Sequence, residues 1–328
     1  VWKIIMNNSS AQSIAEVIKN AEKILVVPHV NPDGDCIGSA VTLKLFIQNE
    51  YGKDVQLFVQ TNVPDLYKFL PETDSFKTAD ELKDESFDTV ITIDCASKDR
   101  LTTAIPFFDK AKVTVNIDHH KTNPYFAQYN YVYNLSSAGE VLHQFAKELD
   151  WKFDRNIANA MYVAILTDTG GFKYENTTAA TFMAVAHLME YGISPSLLYR
   201  CCYESKPLAM VKLNACAIEK SVFLNNGKVA YTIITLDDMR TNKALNEHTD
   251  GIVELLRQVN SVEVAFVIKE TEDGYSKVSL RSKNVDVCKV ALRFDGGGHT
   301  FAAGCTIRKN YTVALTKLLD AIKEETGL

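Results

Sequence analysis

The chain has 328 residues, and at ~150 residues per domain this points to two domains. Hydrophobic residues at 46%, charged residues at 23%, 15 Gly and 8 Pro are ordinary globular usage, which excludes disordered, collagen-like and solenoid chains. A formal net charge of -6 excludes a protein that coats long nucleic acid by electrostatics alone. Apolar runs such as 24–27 fall far short of the ~20 residues that cross a bilayer, and no secretory pattern opens the sequence. The cysteines (Cys36, Cys95, Cys201, Cys202, Cys216, Cys288 and Cys305) are odd in number and lack C-x-x-C spacing. Reduced thiols in a cytoplasmic protein are therefore expected. Met6 stands behind a short leader over residues 1–5, to which no function is assigned.

In chain order, the first half alternates β-rich runs with amphipathic helical stretches, the pattern of a mostly parallel sheet flanked by helices. Strands are expected at 24–28, 55–59, 89–93 and 113–117, and helices at 36–49, 139–149, 156–166, 179–190 and 208–219. The second half changes to hairpins, 221–225 with 228–235 around Asn226-Gly227 and 262–269 with 277–281 around Asp273-Gly274. A helix at 286–292, a Gly-rich turn, a strand at 305–307 and a last helix at 313–325 complete a smaller α/β domain with a mixed sheet. The expected organisation is an α/β chain with a first domain over 1–205, a connector over 206–220, a second domain over 221–328 and a cleft between the domains.

The decisive residues stand where the expected strands end. The first strand runs into His29-Val30-Asn31-Pro32-Asp33-Gly34-Asp35, the third into Asp94, and the fourth into Asp118-His119-His120. A further acid, Asp168, lies just past the helix 156–166 in Thr167-Asp168-Thr169-Gly170. Open parallel sheets bind ligands outside the carboxyl ends of their strands, so these segments deliver acids and imidazoles to one rim. Each piece alone has a plain structural account: an Asx turn at Asp33, a helix cap at Asp94, a surface pair at His119 and His120. Together they crowd like charges into one pocket, where carboxylates repel and take back protons unless a cation neutralises them. Two divalent ions meet that demand.

Between Tyr275 and Asn310, Lys277, Arg281, Lys283, Lys289, Arg293, Arg308 and Lys309 face only Asp286 and Asp295, a local charge of +5. A local anion site is expected there. Gly296, Gly297 and Gly298 are expected to expose backbone N–H groups as an anion nest, backed by a helix starting near Thr300. Arg281 can grip a phosphate through two donors, with Lys283 and His299 close in sequence.

The segments 29–39, 92–95, 116–120 and 167–170 resemble the four ordered motifs of the DHH phosphoesterase superfamily, and 279–283 and 296–304 resemble its associated C-terminal domain. The likeness is strongest to the bacterial oligoribonuclease and 3',5'-bisphosphonucleotide phosphatase branch, some of whose members are labelled exopolyphosphatase-related. This resemblance implies one metal held by His29, Asp33 and Asp94, and a second held by Asp35, Asp94, His119 and Asp168, with Asp94 bridging. Asp118 and Asn31 would support these ligands from behind. Carboxylates and imidazoles without a thiolate suit two Mn²⁺, with Mg²⁺ or Co²⁺ as substitutes. The branch often shows four glycines before the C-terminal histidine, and here the first is Asp295.

Two such ions would activate a water and clamp phosphoryl oxygens, so hydrolysis of a phosphoester follows without a covalent nucleophile. Asp94 and His120 are the expected catalytic residues, His120 touching the scissile phosphate and assisting the leaving group. A second domain that holds one end of the substrate through Arg281, Lys283, Gly296, Gly297, Gly298 and His299 selects by length. RNAs of about two to five nucleotides and 3',5'-bisphosphoadenosine are then the expected substrates, without a base code. A membrane or a long duplex is not an expected partner, whereas a homodimer is compatible with the sequence. Competing readings are a cyclic-dinucleotide phosphodiesterase, an inorganic pyrophosphatase, and a nucleotide- or RNA-binding protein that has lost catalysis. The aromatics between Phe107 and Tyr133 are read as packing, and His143, His187 and His248 receive no role.

Overall fold

The computed structural model describes residues 8–328, so Met6 lies outside the described residues. The chain divides between Ser205 and Lys206 into two compact units. The first unit opens with α1 (Ala11–Asn20), β1 (Ile24–Pro28), α2 (Gly34–Tyr51), β2 (Val55–Phe58) and β3 (Phe76–Lys77). β4 (Thr89–Ile93), α3 (Ile105–Lys110), β5 (Val113–Asp118) and β6 (Tyr129–Val132) follow. α4 (Ala138–Glu148), α5 (Arg155–Asp168), α6 (Ala179–Met189) and α7 (Pro195–Tyr199) close the unit.

These strands form one all-parallel sheet in the order β3-β2-β1-β4-β5-β6. Such a sheet is covered on both faces, which is why β1 is buried at every residue. Ile24 and Val26 point into a core shared with α2, α4 and α5, while Leu25 and Val27 join a second core with Phe108 of α3. From β1 the chain builds outward to β2 and β3 on one side and to β4, β5 and β6 on the other. The crevice of a doubly wound sheet opens where that direction reverses, at the carboxyl ends of β1 and β4. Close helix packing brings the distant segments to this rim. A Cβ on Gly38 of α2 would stand 2.6 Å from Ala160 O of α5, and one on Gly34 would stand 2.5 Å from Thr167 Cγ2.

In the second unit, α8 (Leu208–Glu219), β7 (Val222–Leu224), β8 (Val229–Ile234), α9 (Leu236–Thr241) and α10 (Ile252–Arg257) come first. β9 (Val264–Glu270), β10 (Ser276–Ser282), α11 (Val287–Leu292), β11 (Gly297–His299), β12 (Ala302–Ile307) and α12 (Tyr311–Thr326) complete it. The sheet runs β11-β12-β10-β9-β8-β7 and is mixed, with β8 and β9 parallel and the other pairs antiparallel. Val278 and Leu280 face a core with α11 and α12, while Ala230 and Val267 face another with α8 and α10.

Two expectations are corrected here. Residues 206–220 are not a free connector, because Leu213 and Ala217 of α8 are fully buried in the second unit's core. No helix starts near Thr300 either; Gly297–His299 pairs with β12 as a hairpin strand, and Thr300 lies in its turn. The glycines serve that pairing, since a Cβ on Gly296 would meet Gly304 O at 2.3 Å and one on Gly298 would meet Ala302 O at 2.4 Å. The Gly run is thus a tightly apposed edge strand rather than an anion nest.

Candidate metal centre

The segments that follow β1, β4 and β5, and the last turn of α5, contribute side chains to one cluster. β1 runs into His29, which is buried, and Asp33 then caps α2 by accepting the Cys36 N–H at 3.0 Å. β4 runs into Asp94, buried and held at a φ of 52°. β5 ends at Asp118 and hands on to His119 and His120, and α5 delivers Asp168 from its last turn.

Asp94 is the hub. Its Oδ2 stands 3.5 Å from His29 Nε2, and its Oδ1 stands 3.3 Å from His119 Nε2 and 3.7 Å from His120 Nδ1. None of these satisfies Oδ1, which is buried without a hydrogen-bond partner among the described residues. His119 Nε2 also faces Asp35 Oδ2 at 3.8 Å and Asp168 Oδ2 at 3.7 Å, and His29 Nε2 faces Asp33 Oδ2 at 4.0 Å. The ring of His119 is oriented by Leu135 O, 3.3 Å from Nδ1, so in the neutral ring Nε2 carries the lone pair and points at three carboxylates. Asp35 is fixed by α4, accepting the N–H of Ala138 at 2.7 Å and of Gly139 at 3.0 Å, and by the Ser39 hydroxyl at 3.0 Å.

The electrostatics describe a pocket short of positive charge. Burial, then the Asp94 charge, pushes Asp35 well above the usual carboxylate range. Burial, with Asp94 and Asp33 overcoming the pull of His119, raises Asp168 to about 6. Burial works to lower His119, yet Asp94, Asp35 and Asp168 raise it to about 10. Burial likewise works to raise Asp94, but the imidazoles of His119 and His29 hold it at about 2. Protons do there what a cation would otherwise do. An orphaned buried carboxylate oxygen beside the His119 Nε2 lone pair and further carboxylate oxygens fits hard or borderline divalent ions. Ligand atoms of Asp94, His119 and His120, and of Asp35, His119 and Asp168, lie within 4.8 Å of one another.

Several neighbours support this cluster. Asp118 is fully buried; it accepts from His120 Nδ1 at 2.8 Å and from Asn123 Nδ2 at 2.6 Å, so the imidazole it orients is that of His120. Asn31 turns the chain at a φ of 55°, and its side chain makes no hydrogen bond among the described residues. Asn123 and Arg100 are absent from the expected set. Asn123 ties Asp118 to Asn116 at 2.7 Å, and His29 Nδ1 lies 2.7 Å from Val30 O, to which it donates when protonated, and 2.9 Å from Arg100 Nη2, from which it accepts when it is not. Cys36 meets His29 and Asp94, but burial and then the Asp94 charge keep its thiol protonated, and its Sγ accepts the His29 N–H at 3.2 Å.

The expected substrate residues form a separate group in the second unit. Arg281 donates through Nε to Glu254 Oε1 at 2.8 Å and through Nη1 to Leu280 O, and its second terminal nitrogen makes no hydrogen bond among the described residues. Lys283 Nζ is taken by the carbonyls of Val259 and Asn260 at 2.8 and 3.0 Å. His299 is exposed on β11, and Asp295 stands at a φ of 54°, a conformation that favours the glycine usual there.

Comparison with known proteins bears on both groups. The N-terminal domain of the DHH family matches residues 23–165, and the DHHA1 domain matches residues 226–327. A Streptococcus mutans protein named probable bifunctional oligoribonuclease and PAP phosphatase NrnA is 30% identical over 89% of this chain and 92% of its own length. The chain belongs to the DHH family. A Thermus thermophilus relative named bifunctional oligoribonuclease and PAP phosphatase NrnA is 29% identical over 95% of this chain and 93% of its own. An exopolyphosphatase-related protein from Bacteroides fragilis shares the fold with a TM-score of 0.89 at 22% identity, covering 96% of this chain and 95% of its own. In this DHH chain the acids and histidines gather in the first unit, within or just beyond the matched N-terminal domain, and the Arg281 group falls in the DHHA1 domain.

Proposed function

We propose that this chain is a metal-dependent phosphoesterase that hydrolyses short oligoribonucleotides and 3',5'-bisphosphoadenosine, with Mn²⁺ as its metal. The observation that carries the reading is Asp94 Oδ1, buried without a donor between His119 and His120. The names of the curated relatives support the substrate class. His29, Asp33 and Asp94 would hold one ion, and Asp35, Asp94, His119 and Asp168 a second. When bound, such ions lower the pKa of a water and neutralise phosphoryl oxygens.

The chain's own groups do the remaining work. His120 commits Nδ1–H to Asp118 Oδ1 at 2.8 Å, which leaves Nε2 to exchange a proton with the leaving oxygen of the substrate. Its side chain is 39% exposed, so a ligand can reach it. Asp35, tied to backbone N–H groups, cannot swing away when its charge is neutralised. Arg281 keeps a free nitrogen for a terminal phosphate. Among the described residues no helix is long and apolar enough to cross a membrane. All seven cysteines are free, which supports a reducing, cytoplasmic place of action.

The test is a turnover panel with Mn²⁺ over di- to pentaribonucleotides, 3',5'-bisphosphoadenosine, cyclic dinucleotides and pyrophosphate. Hydrolysis of the first two, lost on chelation, is the expected result. Inertness toward both, or preference for a cyclic dinucleotide or pyrophosphate, overturns the reading.

A further inference from the structure

The carboxylates of the candidate metal centre are not held alike. Asp35 accepts from two backbone N–H groups at the head of α4 and from the Ser39 hydroxyl. The Asp168 carboxylate is 30% exposed and makes no hydrogen bond among the described residues. Its position is therefore set by the backbone that carries it, the last turn of α5.

The final carbonyls of a helix have no partner within the helix and need one from outside. In a continuing helix the Phe172 N–H would serve the Asp168 carbonyl, but here it goes to Thr169 Oγ1 at 3.1 Å. The chain instead reverses through Gly170, Gly171 and Phe172, all at positive φ, and brings Asn176 back to the helix end. The Asn176 amide nitrogen then donates to Asp168 O at 3.1 Å and to Ser136 O at 2.9 Å.

Ser136 is the fixed side of this bridge. It is buried, its N–H and hydroxyl are both taken by Glu140 Oε2, and Thr181 of α6 donates to the same oxygen at 2.9 Å. Just beyond it, Ala138 and Gly139 turn their N–H groups to Asp35. Asn176 thus joins the segment that holds Asp35 to the segment that carries Asp168, and these two carboxylates share His119 Nε2 at 3.8 and 3.7 Å. Ligand distances to a metal ion tolerate only about 0.2 Å, so an α5 end free to fray would cost affinity for the ion that Asp168 helps to hold. His29 and Asp33 follow β1 and take no part in the bridge.

We propose that Asn176 is a positioning residue for the second ion, the one assigned to Asp35, Asp94, His119 and Asp168, and that it acts by clamping the end of α5 to the head of α4. The inference rests on the two-ion reading above.

The test is Mn²⁺ titration of chelator-treated protein followed by electron paramagnetic resonance, for the wild type, Asn176→Ala, Asn176→Asp and Asn176→Gln. Asn176 is exposed, so the variants are expected to keep the wild-type circular dichroism spectrum. Wild type with two equivalents of Mn²⁺ gives the exchange-coupled signal of paired ions. In Asn176→Ala the affinity for one ion falls about 10- to 100-fold while the other stays within about threefold, and isolated and unbound Mn²⁺ replace the coupled signal. Asn176→Asp, which keeps the shape without the donor, loses as much, and Asn176→Gln, which keeps the amide, recovers most of the loss. For a diribonucleotide, kcat of Asn176→Ala falls at limiting Mn²⁺ and returns with excess Mn²⁺, with KM little changed, which a general loss of structure would not give. Undiminished coupling in Asn176→Ala, an equal loss at both ions, or a kcat that excess Mn²⁺ leaves low overturns the positioning role and leaves the two-ion reading standing. A wild type that binds fewer than two ions refutes that reading and the positioning role with it.

Discussion

Asp94 faces His29 through one carboxylate oxygen and His119 and His120 through the other, so its charge is what the rest of the cluster is arranged around. Asp94→Asn keeps the shape and removes the charge. It is expected to lower kcat/KM for a diribonucleotide by on the order of a thousandfold, about 4 kcal/mol of barrier, with an unaltered circular dichroism spectrum. Full activity in that variant removes Asp94 from the chemistry. Asp118 acts at one remove, through the 2.8 Å bond to His120 Nδ1. Asp118→Asn should therefore lower kcat by about 10- to 100-fold with KM little changed, and a rise in KM alone would instead give His120 a binding role. The residues of the cluster were legible in the sequence because each follows an apolar strand or ends a helix. Arg100 was not, because its partner His29 lies 71 residues away, and Asn123 was not, because an asparagine in the turn after His120 reads locally as a turn residue and only its hydrogen bonds to Asp118 and Asn116 show its role.

Elements place these residues, and their packing sets the tolerance for change. Gly38 lets α2 lie against α5, so Gly38→Ala drives a Cβ into Ala160 O and should destabilise by about 1 to 3 kcal/mol, read as a lower urea midpoint. A second element-scale prediction concerns α4 and α6. His143 Nε2 and His187 Nδ1 lie 3.0 Å apart beside Phe153. Burial, then the His187 charge, lowers His143 from 6.5 to about 4. As pH falls, the unfolded chain takes up this proton first, so stability present above pH 6.5 is lost between 6.5 and about 4. The loss is on the order of 3 kcal/mol. His143→Gln should flatten that part of the urea-midpoint profile, and an unchanged slope would assign the acid sensitivity to other groups. Strand β1 was legible as an uninterrupted apolar run and β4 and β5 as short runs of Val, Ile and Thr, since a parallel strand is buried on both faces. β11 was not. A glycine run reads locally as a turn, and only its close hairpin pairing with β12 makes Gly296 and Gly298 necessary.

For the molecule as a whole, the sheet order 3-2-1-4-5-6 locates the centre. The crevice between β1 and β4 is where a doubly wound sheet binds its ligand. Two units, one parallel and one mixed, were legible from the change between helix-spaced strands and hairpins. The boundary of the second unit was harder to read, because α8 buries only Leu213 and Ala217 and its exposed Leu208, Val211 and Ile218 obscure an amphipathic pattern. Cations that neutralise the cluster must also stabilise the fold that holds it. Mn²⁺ at a hundred times its Kd should add about 2.7 kcal/mol and raise Tm by several degrees over the chelated protein, and an unmoved Tm would argue against a tight site. The most direct measurement is titration calorimetry of Mn²⁺ into chelator-treated protein, wild type beside Asp94→Asn. Two ions per wild-type chain and fewer in the variant are predicted; no bound ion in the wild type, or the same stoichiometry in both, contradicts the account.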